Sequence, residues 1–256
     1  MSRKSLIKSS FARSISTYDA NADIQAHVGA RLREFLPSLV APKVLELGCG
    51  TGVFTAELLS RYRDGQFMIS DFLPDAVATC SARFGTHASR SYQLIDGDNV
   101  SDLGEFDVIA SSMALHWFAD PISSLQSQRA ALSAGGCIVY ATIGSENFPE
   151  WIESVTELGL ESGVATLDAL PGIVAHERKT IEYGSARGFL DALKKTGAAI
   201  AKPGHRPLSP NDLAKACANF DKKFAGSVTW HIVYGVIPAQ PSGRETQYSM
   251  SECLEG

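Results

Sequence analysis

The 256-residue chain lacks the marks of several large protein classes. Its five cysteines (Cys49, Cys80, Cys137, Cys217 and Cys253) are widely spaced and include no C-x-x-C pair. Neither a zinc site nor a disulfide framework is suggested, no metal is expected, and reduced thiols in a cytoplasm fit best. No apolar run approaches the ~20 residues that cross a membrane, and the basic, Ser-rich N-terminus lacks the apolar stretch of a secretory signal. Composition leaves room for a transit peptide, but residues 11–25 have a more specific use below. There is no internal repeat and no low-complexity tract. Charged residues are few, at 20%, against 45% apolar. That balance describes a folded chain with a sizeable core, of one or two domains at ~150 residues each.

A basic excess is also missing. The net charge of −5 excludes a uniformly basic nucleic-acid binder. It hides an uneven distribution. From Arg178 to Lys223 there are ten Lys/Arg against four Asp/Glu. Arg3, Lys4, Lys8 and Arg13 add four more cations at the start, so the rest of the chain is acidic. A partner can read such an asymmetry.

The hydrophobic pattern gives the organisation. Ile24, Val28, Leu32 and Phe35 form one stripe and predict a helix over 21–36, ended by Pro37. Strands are predicted at 43–47, 66–70, 91–95, 106–110 and 137–141, with helices at 53–62, 75–84 and 121–132 between them. This alternation predicts an α/β fold, a parallel sheet with helices on both faces. Beyond Thr142 the reading is a helix at 149–160, a strand at 175–183, helices at 185–195 and 210–224, and a strand at 228–237 that is apolar on both faces. Residues 241–256 are expected to fray. The division expected is one domain over 1–240: N-terminal lid helices at 8–36, a cofactor half at 42–142, a small, mainly helical cap at 145–225, and the last strand.

The most informative stretch is Val44-Leu-Glu-Leu-Gly-Cys-Gly-Thr-Gly-Val53, a strand-to-helix turn. Gly48, Gly50 and Gly52 permit a tight turn and close approach by a ligand, and the helix N-terminus beyond favours an anionic group. A dinucleotide fingerprint needs G-x-G-x-x-G, and here the third glycine comes one residue early. Glu46 precedes the turn; its charge would repel a pyrophosphate but not a sulfonium or ammonium. S-adenosyl-L-methionine is therefore favoured over NAD. Asp71, at the end of the second strand, is placed to accept both ribose hydroxyls. Asp98, in Asp96-Gly-Asp98-Asn99, is placed to take the adenine amino group. Phe106 to Trp117 runs a fourth strand out into the same cleft. A plain glycine turn, a helix-capping Asp71, an ordinary turn at Asp98 and core packing of His116-Trp117 are the bland alternatives.

These features resemble class I S-adenosylmethionine-dependent methyltransferases, whose Rossmann-like fold has a seven-stranded, mostly parallel sheet. Within them the chain resembles the malonyl-[acyl-carrier protein] O-methyltransferases of early biotin synthesis. The resemblance rests on Phe11 to Asp19 with Ala22 and Gln25, on Glu46 to Gly52, on Ser112 to Trp117, on Leu193 to Ala198 and on Thr229 to Ile237. It covers about residues 8–238; the glycine motif is specific only for the superfamily. It implies methyl transfer to the free carboxylate of malonyl-acyl carrier protein. A carboxylate with a pKa of ~4 is already ionised at neutral pH, so no general base is needed. The resemblance further implies Tyr18, His116 and Trp117 near the methyl group. The cofactor contacts expected are Tyr18, Gln25, Glu46, Gly48, Cys49, Gly50, Gly52, Asp71, Phe72, Asp98, Asn99 and Ser111. Arg178 and Arg187 are the alternatives for holding the malonyl carboxylate. Arg178, Lys179, Arg187, Lys194 and Lys195 are the expected docking residues for the acidic carrier, with a merely solvated charged face as the alternative. The residues Ser111 to Ala114 replace the Asn/Asp-Pro-Pro-aromatic motif of nucleic-acid amino-methyltransferases, and neither nucleic acid nor membrane is expected as a partner. The rival readings are a methyltransferase of a small free acid, of the trans-aconitate type, and a silent cofactor-binding protein.

Overall fold

The order of elements follows the predicted alternation. In the computed structural model, residues 3–18, 23–167, 169–202 and 204–240 are described, with side chains for all but 3 and 12–18. The helices are α1 (Arg3–Tyr18), α2 (Asp23–Leu32), α3 (Val53–Arg61), α4 (Pro74–Phe84), α5 (Pro121–Ala130), α6 (Pro149–Thr156), α7 (Ala186–Lys195) and α8 (Pro210–Phe224). The strands are β1 (Lys43–Leu47), β2 (Gln66–Asp71), β3 (Arg90–Leu94), β4 (Phe106–Ser112), β5 (Leu132–Ile143), β6 (Ile173–Glu182) and β7 (Ser227–Pro238). The expected tail at 241–256 lies outside the described residues.

Local chemistry explains the helix starts. Asp120 Oδ1 accepts the Ile122 and Ser123 N–H groups at the head of α5, and Pro121 follows it. Ser185 and Ser209 cap α7 and α8 in the same manner. Two predicted boundaries move. The helix expected to reach residue 160 stops at Thr156, because Gly159 at φ 70° leads the chain out of it. The strand expected to begin at 137 begins at Leu132. Gly135 at φ 80° lets it pass through a register shift against β4 instead of ending it.

The seven strands lie in the order β3-β2-β1-β4-β5-β7-β6. The pairs β1·β2, β2·β3, β1·β4 and β4·β5 are parallel. Strand β7 runs against its neighbours: Gly144 N–H donates to His231 O and Ala239 N–H to Gly136 O, while Tyr183 N–H donates to Gly226 O and Val236 N–H to Gly172 O. The strand order reverses between β1 and β4. In a sheet of this kind, ligands bind at the carboxyl ends of the strands at that point.

The chain divides into two compact units. One comprises 1–22, 143–169 and 176–233. Its core is aromatic: Phe148 lies edge-on to Phe189 and Trp230, and Trp151 and Phe220 close the group. Helix α1 packs on α7, with Ile7 fully buried and Ser10 Oγ donating to Gly197 O. His231 orders the stretch after β5. Its Nδ1 accepts the Glu146 N–H at 3.0 Å, and its own N–H donates to Asn147 Oδ1. Nδ1 being an acceptor, the proton sits on Nε2, which donates to His176 Nδ1 at 3.1 Å.

The other unit comprises 23–142, 170–175 and 234–256. Its core is built on β1 and β4, where Val44, Leu45, Val108 and Ile109 are wholly buried. Here Tyr140 fills the space that a side chain on Gly235 would take. A Cβ there would stand 2.2 Å from the Tyr140 ring. The ring has no room to retreat, since it is fully buried and its hydroxyl donates to Pro171 O at 2.6 Å. Gly235→Ala is therefore expected to destabilise the protein by about 1–3 kcal/mol, read as a lower urea midpoint.

Candidate cofactor and methyl-transfer site

Buried apolar β1 ends in a turn that only glycine can make. Gly48, Gly50 and Gly52 have φ of 82°, 53° and 89°, and Gly52 hands the chain to α3. At Gly48 a second constraint operates, because a Cβ there would stand 2.4 Å from the Ala114 Cβ. Ala114 is brought there by Met113, itself in the left-handed region at φ 54°.

The turn is anchored to β2. The N–H groups of Gly48 and Cys49 both donate to Ser70 O, and Ser70 Oγ donates to Glu46 O. Asp71 completes the tie: Oδ2 accepts the Gly50 N–H at 2.9 Å and Oδ1 the Leu73 N–H at 3.0 Å. The carboxylate thus joins the turn after β1 to the turn after β2, next to Phe72. A carboxylate offers about four lone-pair sites, so capacity remains to accept a hydroxyl beside these backbone bonds. Burial raises the Asp71 pKa against the backbone N–H bonds that lower it.

Glu46 is buried, and Thr55 Oγ1 donates to its Oε2 at 2.7 Å. Burial pushes its pKa up to about 8, against the Thr55 bond that lowers it. The protein on its own therefore holds Glu46 largely protonated at neutral pH. That alters the expected electrostatics, because an uncharged carboxyl does not repel a pyrophosphate. A cation placed beside Glu46 would favour its ionised form.

Asp98 is tied into the next pair of loops. Its Oδ1 accepts from the Ala119 N–H at 3.0 Å and from Ser124 Oγ at 2.8 Å, so it braces the turn after β3 against the start of α5. Asn99 beside it is exposed and accepts from Ser101 Oγ and Ser127 Oγ. His116 and Trp117 follow β4, half-buried, with ring centroids 4.6 Å apart. His116 Nδ1 lies 3.0 Å from Thr142 Oγ1 at the end of β5. Tyr18 closes α1 in the other unit, and its side chain lies outside the described residues.

S-adenosylmethionine fits these residues. Gln25 Oε1 on α2 and Ser111 Oγ on β4 are buried and have no hydrogen-bond partner among the described residues. A Cβ on Gly50 would meet nothing within 4 Å, so the turn has open space beside it. Sequence reasoning missed Thr55 and Thr142, which hold Glu46 and His116; no local pattern marks them.

The docking residues lie together in the first unit, but their charge is partly spent. Arg178 Nε donates to Glu146 Oε2 at 2.9 Å, and Lys194 pairs with Asp191. Lys202 pairs with Glu161, and Lys223 with Glu153 and Glu157. Apart from Asp191, the acids that reduce the local excess counted along the chain come from an earlier segment. Arg187, Lys194 and Lys195 lie on one face of α7, at i, i+7 and i+8, all exposed. Lys179 is half-buried on β6.

Sheet order, glycine turn and acidic strand ends together define a class I S-adenosylmethionine-dependent methyltransferase. Residues 45–138 match the family model described as a methyltransferase domain. N-methyltransferase NodS from Bradyrhizobium japonicum, solved with S-adenosyl-L-homocysteine, shares the fold at TM-score 0.52 and 15% identity, covering 90% of this chain and 98% of that one. Malonyl-[acyl-carrier protein] O-methyltransferase of Magnetococcus marinus is 30% identical over 91% of this chain and 92% of its own. The biotin biosynthesis bifunctional protein BioCD of Bordetella avium is 32% identical over 88% of this chain, which spans 50% of that longer protein. The chain belongs to the malonyl-[acyl-carrier protein] O-methyltransferase family.

Glu46 makes stability depend on pH with a definite sign. Its folded pKa of about 8 exceeds the ordinary 4.5, so between these values the folded state holds a proton that the unfolded chain has lost. Free protein should lose stability as pH rises from about 5 to about 8, with Asp71 acting in the same direction. Urea titrations at pH 5.5 and pH 8 should show this fall in the wild type and a smaller one in Glu46→Gln. Binding of the cationic cofactor near pH 7 should also release a proton, seen by calorimetry in buffers of different ionisation enthalpy.

Proposed function

We propose that the protein methylates the free carboxylate of malonyl-acyl carrier protein, giving the malonyl methyl ester used as a primer in biotin synthesis. The observation that carries this reading is the end-to-end likeness to the Magnetococcus marinus enzyme, which extends through both compact units. The cofactor supplies an electrophilic methyl group on a sulfonium. The chain's own residues then have three tasks: to bind, to orient and to exclude water. Glu46, the glycine turn and Asp71 form the bed. Gln25 and Ser111 offer the unsatisfied polar atoms beside it. His116, oriented by Thr142, donates a hydrogen bond to the acceptor carboxylate, and Trp117 walls the pocket; Tyr18 belongs to the lid. The acceptor is already ionised, so the absence of a base among these roles is consistent with the chemistry.

The carrier docks through the exposed cations of α7, an acidic partner meeting Arg187, Lys194 and Lys195. No helix among the described residues is long and apolar enough to cross a membrane. The reaction belongs in the cytoplasm, without nucleic acid.

Labelled S-adenosylmethionine with malonyl-carrier protein, malonyl-CoA or trans-aconitate tests the reading. Base-labile label on the carrier supports it; label confined to free acids overturns it. The double reversal Arg187→Glu with Lys195→Glu should raise KM for malonyl-carrier protein at least about tenfold and leave KM for malonyl-CoA and cofactor affinity unchanged. An unchanged KM for the carrier removes the docking role of α7.

A further inference from the structure

Thr142 lies near the end of β5, fully buried, and yet carries a hydroxyl. Pairing with β4 fixes its backbone. Ser112 stands opposite Ala141, and the Met113 N–H donates to Ala141 O at 2.8 Å. Met113, in the left-handed region, then sends the chain into the short helical turn Leu115–Trp117, closed by the Trp117 N–H on Ala114 O. That turn brings His116 to the end of β5, where its Nδ1 stands 3.0 Å from Thr142 Oγ1. The Trp117 ring packs on the same imidazole.

A bond between a hydroxyl and a ring nitrogen can run in either direction, and burial decides between the two. A hydroxyl has one proton to donate. Among the described residues, His116 Nδ1 is the one hydrogen-bond partner of Thr142 Oγ1. If Nδ1 carried the ring proton, the hydroxyl would accept it. The hydroxyl's own proton would then have no acceptor, at a position closed to solvent. If the hydroxyl donates to Nδ1, both groups are satisfied. The proton of neutral His116 then sits on Nε2.

We infer that Thr142 is a positioning residue: its hydroxyl donates to His116 Nδ1 and fixes the ring in the tautomer that presents Nε2–H to the acceptor. The inference rests on the reading of His116 as donor to the substrate carboxylate, and it sharpens that reading. An ionised carboxylate only accepts hydrogen bonds. The opposite tautomer would set a nitrogen lone pair against it, two acceptors facing each other. Thr142 thereby disfavours a state of His116 that repels the substrate, and acts on the substrate only through the ring. A neutral donor suits this transfer. It aligns the carboxylate oxygen without cancelling the negative charge that attacks the methyl group.

Heteronuclear NMR of the imidazole nitrogens, on the full-length protein without ligand at mildly alkaline pH, tests the inference. The His116 signal is assigned by its loss in His116→Gln. The expected wild-type pattern is a protonated Nε2, with an unprotonated Nδ1 shifted by the hydrogen bond it accepts. Thr142→Val keeps a branched side chain of similar size and removes the donor. It should give a mixture of tautomers and lower kcat/KM for malonyl-carrier protein about fivefold, as expected for one lost hydrogen bond. Its affinity for S-adenosylhomocysteine, measured by calorimetry, should not change. Thr142→Ser returns the hydroxyl and should return the wild-type tautomer and most of the lost rate. A wild-type ring protonated on Nδ1 overturns the inference. So does a Thr142→Val variant whose ring keeps the wild-type tautomer or whose turnover is undiminished. If that variant does not fold, the wild-type spectrum decides alone. Wild-type protein that methylates trans-aconitate but not malonyl-carrier protein would overturn the proposed substrate instead, and the spectra would still decide the tautomer.

Discussion

Backbone N–H groups from two turns converge on the carboxylate of Asp71, and the geometry of the cofactor bed depends on them. Hydrogen bonds to a charged acceptor contribute about 1.5–3 kcal/mol each. Here they do more than stabilise. They join the turn after β1 to the turn after β2, while Ser70 O takes two further N–H groups from the same turn. Three bonds thus tie to the end of β2 a glycine-rich segment that would otherwise sample many conformations. The ordering cost is met during folding, so a ligand arriving later does not have to meet it.

The two compact units carry different information. The fold over 90% of the chain is shared with NodS, a protein only 15% identical, and by itself says little about the acceptor. One unit holds α1, the aromatic core and the exposed cations of α7. Likeness to the carrier-protein methyltransferases runs through both. That is why the glycine turn defines the class and the later half of the chain narrows it.

Much of the cofactor unit was legible because its signals are local. Strand β1 was placed at 43–47 from a buried apolar run that meets glycine, and α3 from the turn that follows. Positions whose partners are distant in sequence stayed hidden. Thr55 and Thr142 have no motif; they matter only because folding brings them to Glu46 and His116. The strand predicted from 137 begins at Leu132 and passes through Gly135 and Gly136, because a positive φ serves a register shift as well as a turn. Charge misled for the same reason. A window from 178 to 223 cannot count Glu146, Glu153, Glu157 and Glu161, which fold against it. The protonation of Glu46 was also beyond reach, since desolvation is a property of the packed state.

The meeting of Gly48 with Ala114 has a consequence for how such a chain can vary. A carbon added at Gly48 would have no gap beside the Ala114 methyl. The two positions therefore behave as a single unit of volume, though they lie on separate loops. A larger residue at 114 has no small compensating change available at 48, where glycine is already the minimum.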